Sequence, residues 1–120
     1  YGLIIDDEYH VAEVISKLLD SLNYKSKIMT NSKDALIEIQ TNLSNYDFII
    51  TDMTMVGVNG LQICKEVLRI NNKFPIILCT GFSTLDTISE LNKIGVNNYI
   101  FKPILKHDLS EKLYNLLKEK

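Results

Sequence analysis

Five polar side chains stand where apolar runs give out. Asp6 and Asp7 follow Leu3-Ile4-Ile5, Asp52 follows Asp47-Phe48-Ile49-Ile50-Thr51, Thr80 follows Pro75-Ile76-Ile77-Leu78-Cys79, and Lys102 follows Asn98-Tyr99-Ile100-Phe101. Taken singly, each has an ordinary explanation. Acids near a helix start complement its dipole, an Asp begins a turn, a Thr caps a loop and a Lys is solvated. Taken together they are harder to dismiss. Three carboxylates facing one another repel, and such a cluster is tolerated when a cation occupies it or when one of them holds its proton more tightly. Oxygen-only donors with few protein carboxylates leave room for waters and a phosphate oxygen. That suits Mg²⁺, with Mn²⁺ as its substitute, better than a Ca²⁺ cage or a zinc site. The Thr80 hydroxyl and the Lys102 ammonium suit the remaining oxygens of a phosphoryl group. The set is fitted to phosphoryl chemistry on a carboxylate.

The elements that must position these groups are legible as alternating patterns. The four apolar runs are near-continuous rather than alternating, which is what strands covered on both faces show. A weaker run at Lys25 to Met29 predicts a fifth strand nearer an edge. Between the runs, Val11, Val14, Ile15, Leu18, Leu19 and Leu22 form one helical stripe. Ala35, Leu36, Ile39 and Leu43 form a second; Leu61, Cys64, Val67 and Leu68 a third; Ile88 and Leu91, with Leu85 and Ile94, a fourth; Leu109, Leu113, Leu116 and Leu117 a fifth. Asn31 or Ser32 caps the second helix, Ser83 or Thr84 the fourth, and Gly95 supplies a left-handed residue after it. Strands joined through helices by right-handed crossovers make a parallel sheet. The predicted class is therefore α/β in three layers, a doubly wound (βα)5 sheet, and ligands of such sheets bind outside the carboxyl ends of the strands.

Length and composition bound the rest. With 120 residues, of which 46% are hydrophobic and 23% charged, the chain has room for a single domain over 1–120. No apolar stretch approaches the length of a membrane-spanning helix and no signal peptide opens the chain, so a cytoplasmic domain with no membrane contact is expected. A net charge of −2 with no basic cluster argues against direct nucleic-acid binding. Cys64 and Cys79 lack metal-ligand spacing and sit in apolar surroundings, as small core residues do. The chain opens at Tyr1, without an initiator Met, and enters an apolar run almost at once, as expected of a piece of a longer protein.

On these residues the chain resembles the receiver domain of two-component signalling systems. Leu3-Ile-Ile-Asp-Asp-Glu8 is similar to the family's acidic pair and Asp47-Phe-Ile-Ile-Thr-Asp52 to the strand ending in the phosphoacceptor. Pro75-Ile-Ile-Leu-Cys-Thr-Gly81 is similar to the switch-threonine segment, and Tyr99-Ile-Phe-Lys-Pro103 to the lysine–proline segment. The resemblance implies a flavodoxin-like sheet of strand order 2-1-3-4-5 and a signalling switch rather than an enzyme with turnover. It makes Asp52 the nucleophile that takes a phosphoryl group from a phosphohistidine. Asp7 binds Mg²⁺ directly, Asp6 through a water, and the backbone carbonyl of Thr54 adds an oxygen. Lys102 pairs with the phosphoryl group, Thr80 senses it, and Tyr99 is the aromatic switch, with a plain half-buried strand tyrosine as its competing reading. Gly81 leaves the nucleophile open, with a plain loop glycine as its competing reading, and Lys102-Pro103 is a cis peptide. The implied partner is a histidine kinase or a histidine phosphotransfer domain, with homodimerisation through the face of the fourth helix, fifth strand and fifth helix. Leu78 to Ser83 resembles receivers fused to hybrid sensor kinases.

Two departures from the family stand out. Val56 replaces the usual proline in Met55-Val56-Gly57-Val58-Asn59-Gly60, predicting a somewhat looser loop, and Phe82 stands where polar residues are common, predicting slower hydrolysis. Other classes fit less well. A constitutive, phosphorylation-independent interaction module has no need of the complete acid set. A phosphatase of the haloacid dehalogenase type needs a second Asp two residues after the first, and Glu8 stands at that spacing from Asp6. A flavodoxin-like electron carrier needs a phosphate loop where Asp6-Asp7-Glu8 would repel the flavin phosphate.

Overall fold

Central strands that are apolar over most of their length are satisfied between two helical layers, and that is how the chain folds. The computed structural model describes residues 1–81, 89, 92, 93, 95, 96 and 98–118. Its elements are β1 (Gly2–Ile5), α1 (Tyr9–Ser21), β2 (Ser26–Met29), α2 (Ser32–Asn42), β3 (Phe48–Asp52), α3 (Gly60–Ile70), β4 (Ile76–Thr80), β5 (Tyr99–Phe101) and a last helix (Lys106–Lys118). All strands run parallel in the order β2-β1-β3-β4-β5. The weak run is indeed at an edge, as β2. The fourth expected helix, with Ser83, Thr84, Leu85, Ile88, Leu91 and Ile94, lies outside the described residues, as does Phe82. Gly95 has the left-handed φ of 87° foreseen for it.

Alternate residues of the central strands feed two cores. On one face Leu3, Ile5, Ile49 and Leu78 meet Ala35 and Ile39 of α2 and Ile63, Cys64 and Val67 of α3. On the other, Ile4, Phe48, Ile50, Ile77 and Cys79 meet Ala12, Ile15 and Leu19 of α1 and Leu109 and Leu113 of the last helix. Every residue of β1, β3 and β4 is buried. Both cysteines are free and buried.

Packing narrows the predicted stripes. On α1 the buried line is Ala12, Ile15 and Leu19, whereas Val14 is exposed, because the helix meets the sheet along one line and Val14 lies off it. On α3 the contact shifts to Ile63 with Cys64 and Val67. Helix starts are fixed by side chains: Asn31 accepts from the N–H groups of Lys33 and Asp34, and Asn59 with Gln62 forms a reciprocal capping box. Among the described residues no helix is long and apolar enough to cross a membrane.

Candidate functional site

The parallel order brings the carboxyl ends of β1, β3, β4 and β5 to one rim, and the five polar residues with them. Asp52 and Thr80 do not follow their strands, as the apolar runs predict. They are the last strand residues, because the ladder continues through them: Asp52 is in register with Cys79, and Thr80 with Phe101. Their backbones are therefore fixed by the sheet, while Asp6, Asp7 and Lys102 lie just beyond it.

Carboxylate oxygens of Asp6, Asp7 and Asp52 all lie within 4.8 Å of one another. Asp6 and Asp52 are buried. Burial raises the Asp6 pKa above the ordinary aspartate value, and the charges of Asp52 and Asp7 push it the same way; the N–H of Glu8, 2.9 Å from Oδ1, and the Lys102 ammonium oppose this without cancelling it. A cluster of oxygen donors that is unfavourable by itself is the donor chemistry a hard divalent cation requires, so the residues fit Mg²⁺ or Mn²⁺.

The opposite wall is cationic and hydroxylic. Lys102 places Nζ 2.8 Å from Oδ1 of Asp52. Burial alone would lower its pKa, but the hydrogen bond and charge of Asp52, with Asp6 behind it, outweigh this and hold it above the ordinary lysine value. The N–H of Lys102 donates to the Thr80 carbonyl at 2.8 Å, and the Lys102-Pro103 peptide is cis as expected. Thr80 itself is buried. Tyr99, half-buried, packs against the α2–α3 core with its ring 5.5 Å from that of Phe101 and the Lys112 ammonium 5.8 Å from its centroid. Thr54 is exposed on the loop two residues past Asp52. Among the described residues nothing lies within 4 Å of a Cβ placed on Gly81.

Several residues that hold the site escape the motif analysis. Gly60 opens α3 directly beneath β3, where an added Cβ would fall 2.3 Å from the Asp52 carbonyl oxygen and 2.7 Å from the Met53 Cα. Its N–H donates to the Met53 carbonyl at 2.8 Å. Glycine is needed there for approach, not for an unusual φ. The loop after Asp52, in which Val56 stands for the usual proline, makes hydrogen bonds to Asp7 and Ser32. The Val56 N–H, which a proline would lack, donates to Oδ2 of Asp7 at 3.1 Å. The Ser32 hydroxyl donates to the Val56 carbonyl at 2.8 Å and accepts from the Val58 N–H at 3.0 Å. The Asn59-x-x-Gln62 spacing is a signal that could have located the start of α3; nothing local marks Ser32, whose partners are 24 and 26 residues away.

Comparison with known proteins agrees with this arrangement. Residues 3–114 match the response regulator receiver domain family. The chain is 33% identical over 117 residues to the response regulator ArlR of Staphylococcus saprophyticus, covering 97% of this chain and 51% of that protein. It is 37% identical over 102 residues to the regulatory protein VanR of Enterococcus faecium, covering 84% and 42%. It is 28% identical over 115 residues to the transcriptional regulatory protein ZraR of Salmonella typhimurium, covering 96% and 26%. The chain thus spans about half or less of the length of these relatives. Among solved structures, a response regulator receiver domain protein from Clostridium thermocellum superposes with a TM-score of 0.90 at 30% identity, covering 98% of this chain and 94% of that one. The Francisella response regulator 1452 receiver domain gives a TM-score of 0.85 at 28% identity, covering 98% and 96%. The chain belongs to the response regulator receiver domain family, the non-enzymatic signalling modules of two-component systems.

Proposed function

We propose that residues 1–120 work as one receiver domain that takes a phosphoryl group from a phosphohistidine onto Asp52. The observation that carries this reading is the convergence of three carboxylates within 4.8 Å, one of them 2.8 Å from a lysine ammonium, at the carboxyl ends of parallel strands.

In the step itself an Asp52 carboxylate oxygen attacks phosphorus, an O–P bond forms, and the P–N bond breaks with its electron pair going to the imidazole. A divalent cation held by Asp6, Asp7, Asp52 and the Thr54 carbonyl supplies positive charge beside the phosphoryl oxygens. Lys102 already rests against the nucleophile, so the arriving phosphoryl group takes over a cation that needs little reorientation. The buried Thr80 hydroxyl hydrogen-bonds a second oxygen. Because the Lys102 N–H hangs on the Thr80 carbonyl, a shift at Thr80 is passed to β5, where Tyr99 stands at the start of the strand. The output is then a changed surface around β5 and the last helix, including any homodimer contact made with the fourth-helix segment.

A histidine kinase is the partner that family membership implies, reached directly or through a histidine phosphotransfer domain, and a cytoplasmic setting goes with it. The relatives above are regulators by name and lend no support to a hybrid-kinase context for Leu78 to Ser83.

The test is intact mass after incubation with Mg²⁺ and acetyl phosphate. Wild type should gain one phosphoryl group, Asp52→Asn none, and chelation should abolish the gain. No adduct in wild type, together with no binding of beryllofluoride, would point instead to the constitutive interaction module.

A further inference from the structure

We propose that Ser32, on α2 and outside the acidic cluster, is a positioning residue for the cation site. The inference rests on the reading that Asp6, Asp7 and Asp52 take a divalent cation. Ser32 is buried, and its hydroxyl is used twice, donating to the Val56 carbonyl and accepting from the Val58 N–H. It thereby replaces the hydrogen bonds that the two peptides on either side of Gly57 would otherwise make to water.

Gly57 makes the clamp feasible. It has a φ of 89°, and even its own added Cβ would stand 3.2 Å from the Ser32 Oγ, so the segment bends round the hydroxyl only with glycine there. The neighbouring side chains do not do the same job. Met55 and Val58 seat on the α2–α3 core and fix the ends of the segment, while Val56 between them is 86% exposed and packs on little. What orients the backbone at Val56 is therefore the pair of polar contacts on the two peptide groups that flank its Cα, Ser32 on the carbonyl of one and Asp7 on the N–H of the other.

The Val56 backbone matters because both its neighbours serve the site. Its N–H occupies one lone pair of Asp7 Oδ2 and so turns the carboxylate's remaining lone pairs. Two residues earlier the same segment carries Thr54, whose carbonyl is an assigned oxygen donor. Ser32 thus joins the start of α2 to the loop that completes the donor set. Its role is separable from the helix itself, because Asn31 alone caps α2, accepting from Lys33 and Asp34.

Titration of purified protein with Mn²⁺, followed by the electron paramagnetic resonance signal of the free ion, tests this. Ser32→Ala should remain folded by circular dichroism and bind Mn²⁺ about three- to tenfold more weakly, the equivalent of one ordered hydrogen bond. Phosphoryl uptake from acetyl phosphate should need correspondingly more Mg²⁺ to reach half its maximal rate. A merely structural serine would lower the melting temperature and leave the affinity alone. Ser32→Thr and Ser32→Val, which differ in the hydroxyl, isolate it: the threonine variant should bind more tightly than the valine variant. Equal affinities in that pair, or wild-type affinity in Ser32→Ala, would overturn the proposal. Failure of wild type to bind Mn²⁺ would instead overturn the reading of the site, and this inference with it.

Discussion

The two sides of the rim are built differently. Asp52 ends β3 and Asp6 and Asp7 follow β1, strands buried at every residue, with α3 pressed against the end of β3 at Gly60. Thr80 ends β4, itself buried at every residue, while Tyr99 opens and Lys102 follows β5, a three-residue edge strand in which Tyr99 is half-buried and Phe101 exposed. The acidic side is held by backbone against backbone, which leaves no slack. The other side is in the same ladder, β4 pairing with β3 and β5 with β4, but beyond the ladder Lys102 is tied to the acidic side by its ion pair with Asp52 and to Thr80 by a backbone hydrogen bond. A site that must both run chemistry and report on it gains from this division: the donors stay put, and what moves lies at the edge, where fewer contacts oppose displacement.

The comparison can be broken in several places. The largest expected effect concerns the thiols beneath the rim. Burial pushes the Cys79 thiol up to about 12, with the nearby Asp52 charge adding to it, and burial alone does the same for Cys64. At neutral pH the thiolate fraction is therefore about a thousandfold below that of an exposed cysteine. Ellman's reagent should find no reactive thiol in the native protein and two in denaturant; fast labelling of Cys79 would show β4 to be open. Next is Gly60→Ala. Its methyl would meet backbone atoms that cannot step aside, so denaturant unfolding should show a loss of about 3 kcal/mol. A loss under about 1 kcal/mol would mean the acidic side is softer than its contacts say.

A smaller effect of opposite sign is expected at Asp6. Without a cation, Asp6 is a buried carboxylate beside two others, and Asp6→Asn can keep the hydrogen bond from Glu8 while losing the charge. The variant should be about 1 kcal/mol more stable than wild type in chelator, and Mg²⁺ should stabilise it far less than it stabilises wild type. Equal stabilisation of both by Mg²⁺ would remove Asp6 from the donor set. The smallest effect belongs to Gly81→Ala, which meets no described atom within 4 Å and should change stability by less than about 0.5 kcal/mol. Melting curves of the two glycine variants side by side give the contrast directly.

Much of this was legible because it is written in local pattern. Continuous apolar runs located four strands and a weaker run the fifth, each to within a residue or so, and the polar residues ending the four located the rim. The order of the strands came from resemblance, since periodicity carries no information about which strands are neighbours. What escaped depends on distances between elements far apart in the chain. Val14 fits the helical stripe, yet the line along which α1 meets the sheet passes through Ala12. Gly60 ends the loop Met55-Val56-Gly57-Val58-Asn59, and only the approach of α3 to Asp52 shows why it has no side chain. Val56, where the family usually has proline, provides an N–H that holds Asp7, a contact a proline could not make and no local pattern foretells.

The central claim, a fixed acidic side and a responsive β4–β5 side, is tested most directly by amide hydrogen exchange with and without Mg²⁺ and beryllofluoride. The account predicts changed protection in peptides covering Thr80, Tyr99 to Lys102 and the start of the last helix, with 1–5 and 48–53 unchanged. Changes concentrated in β1 and β3, with β4 and β5 indifferent to the ligand, would contradict it.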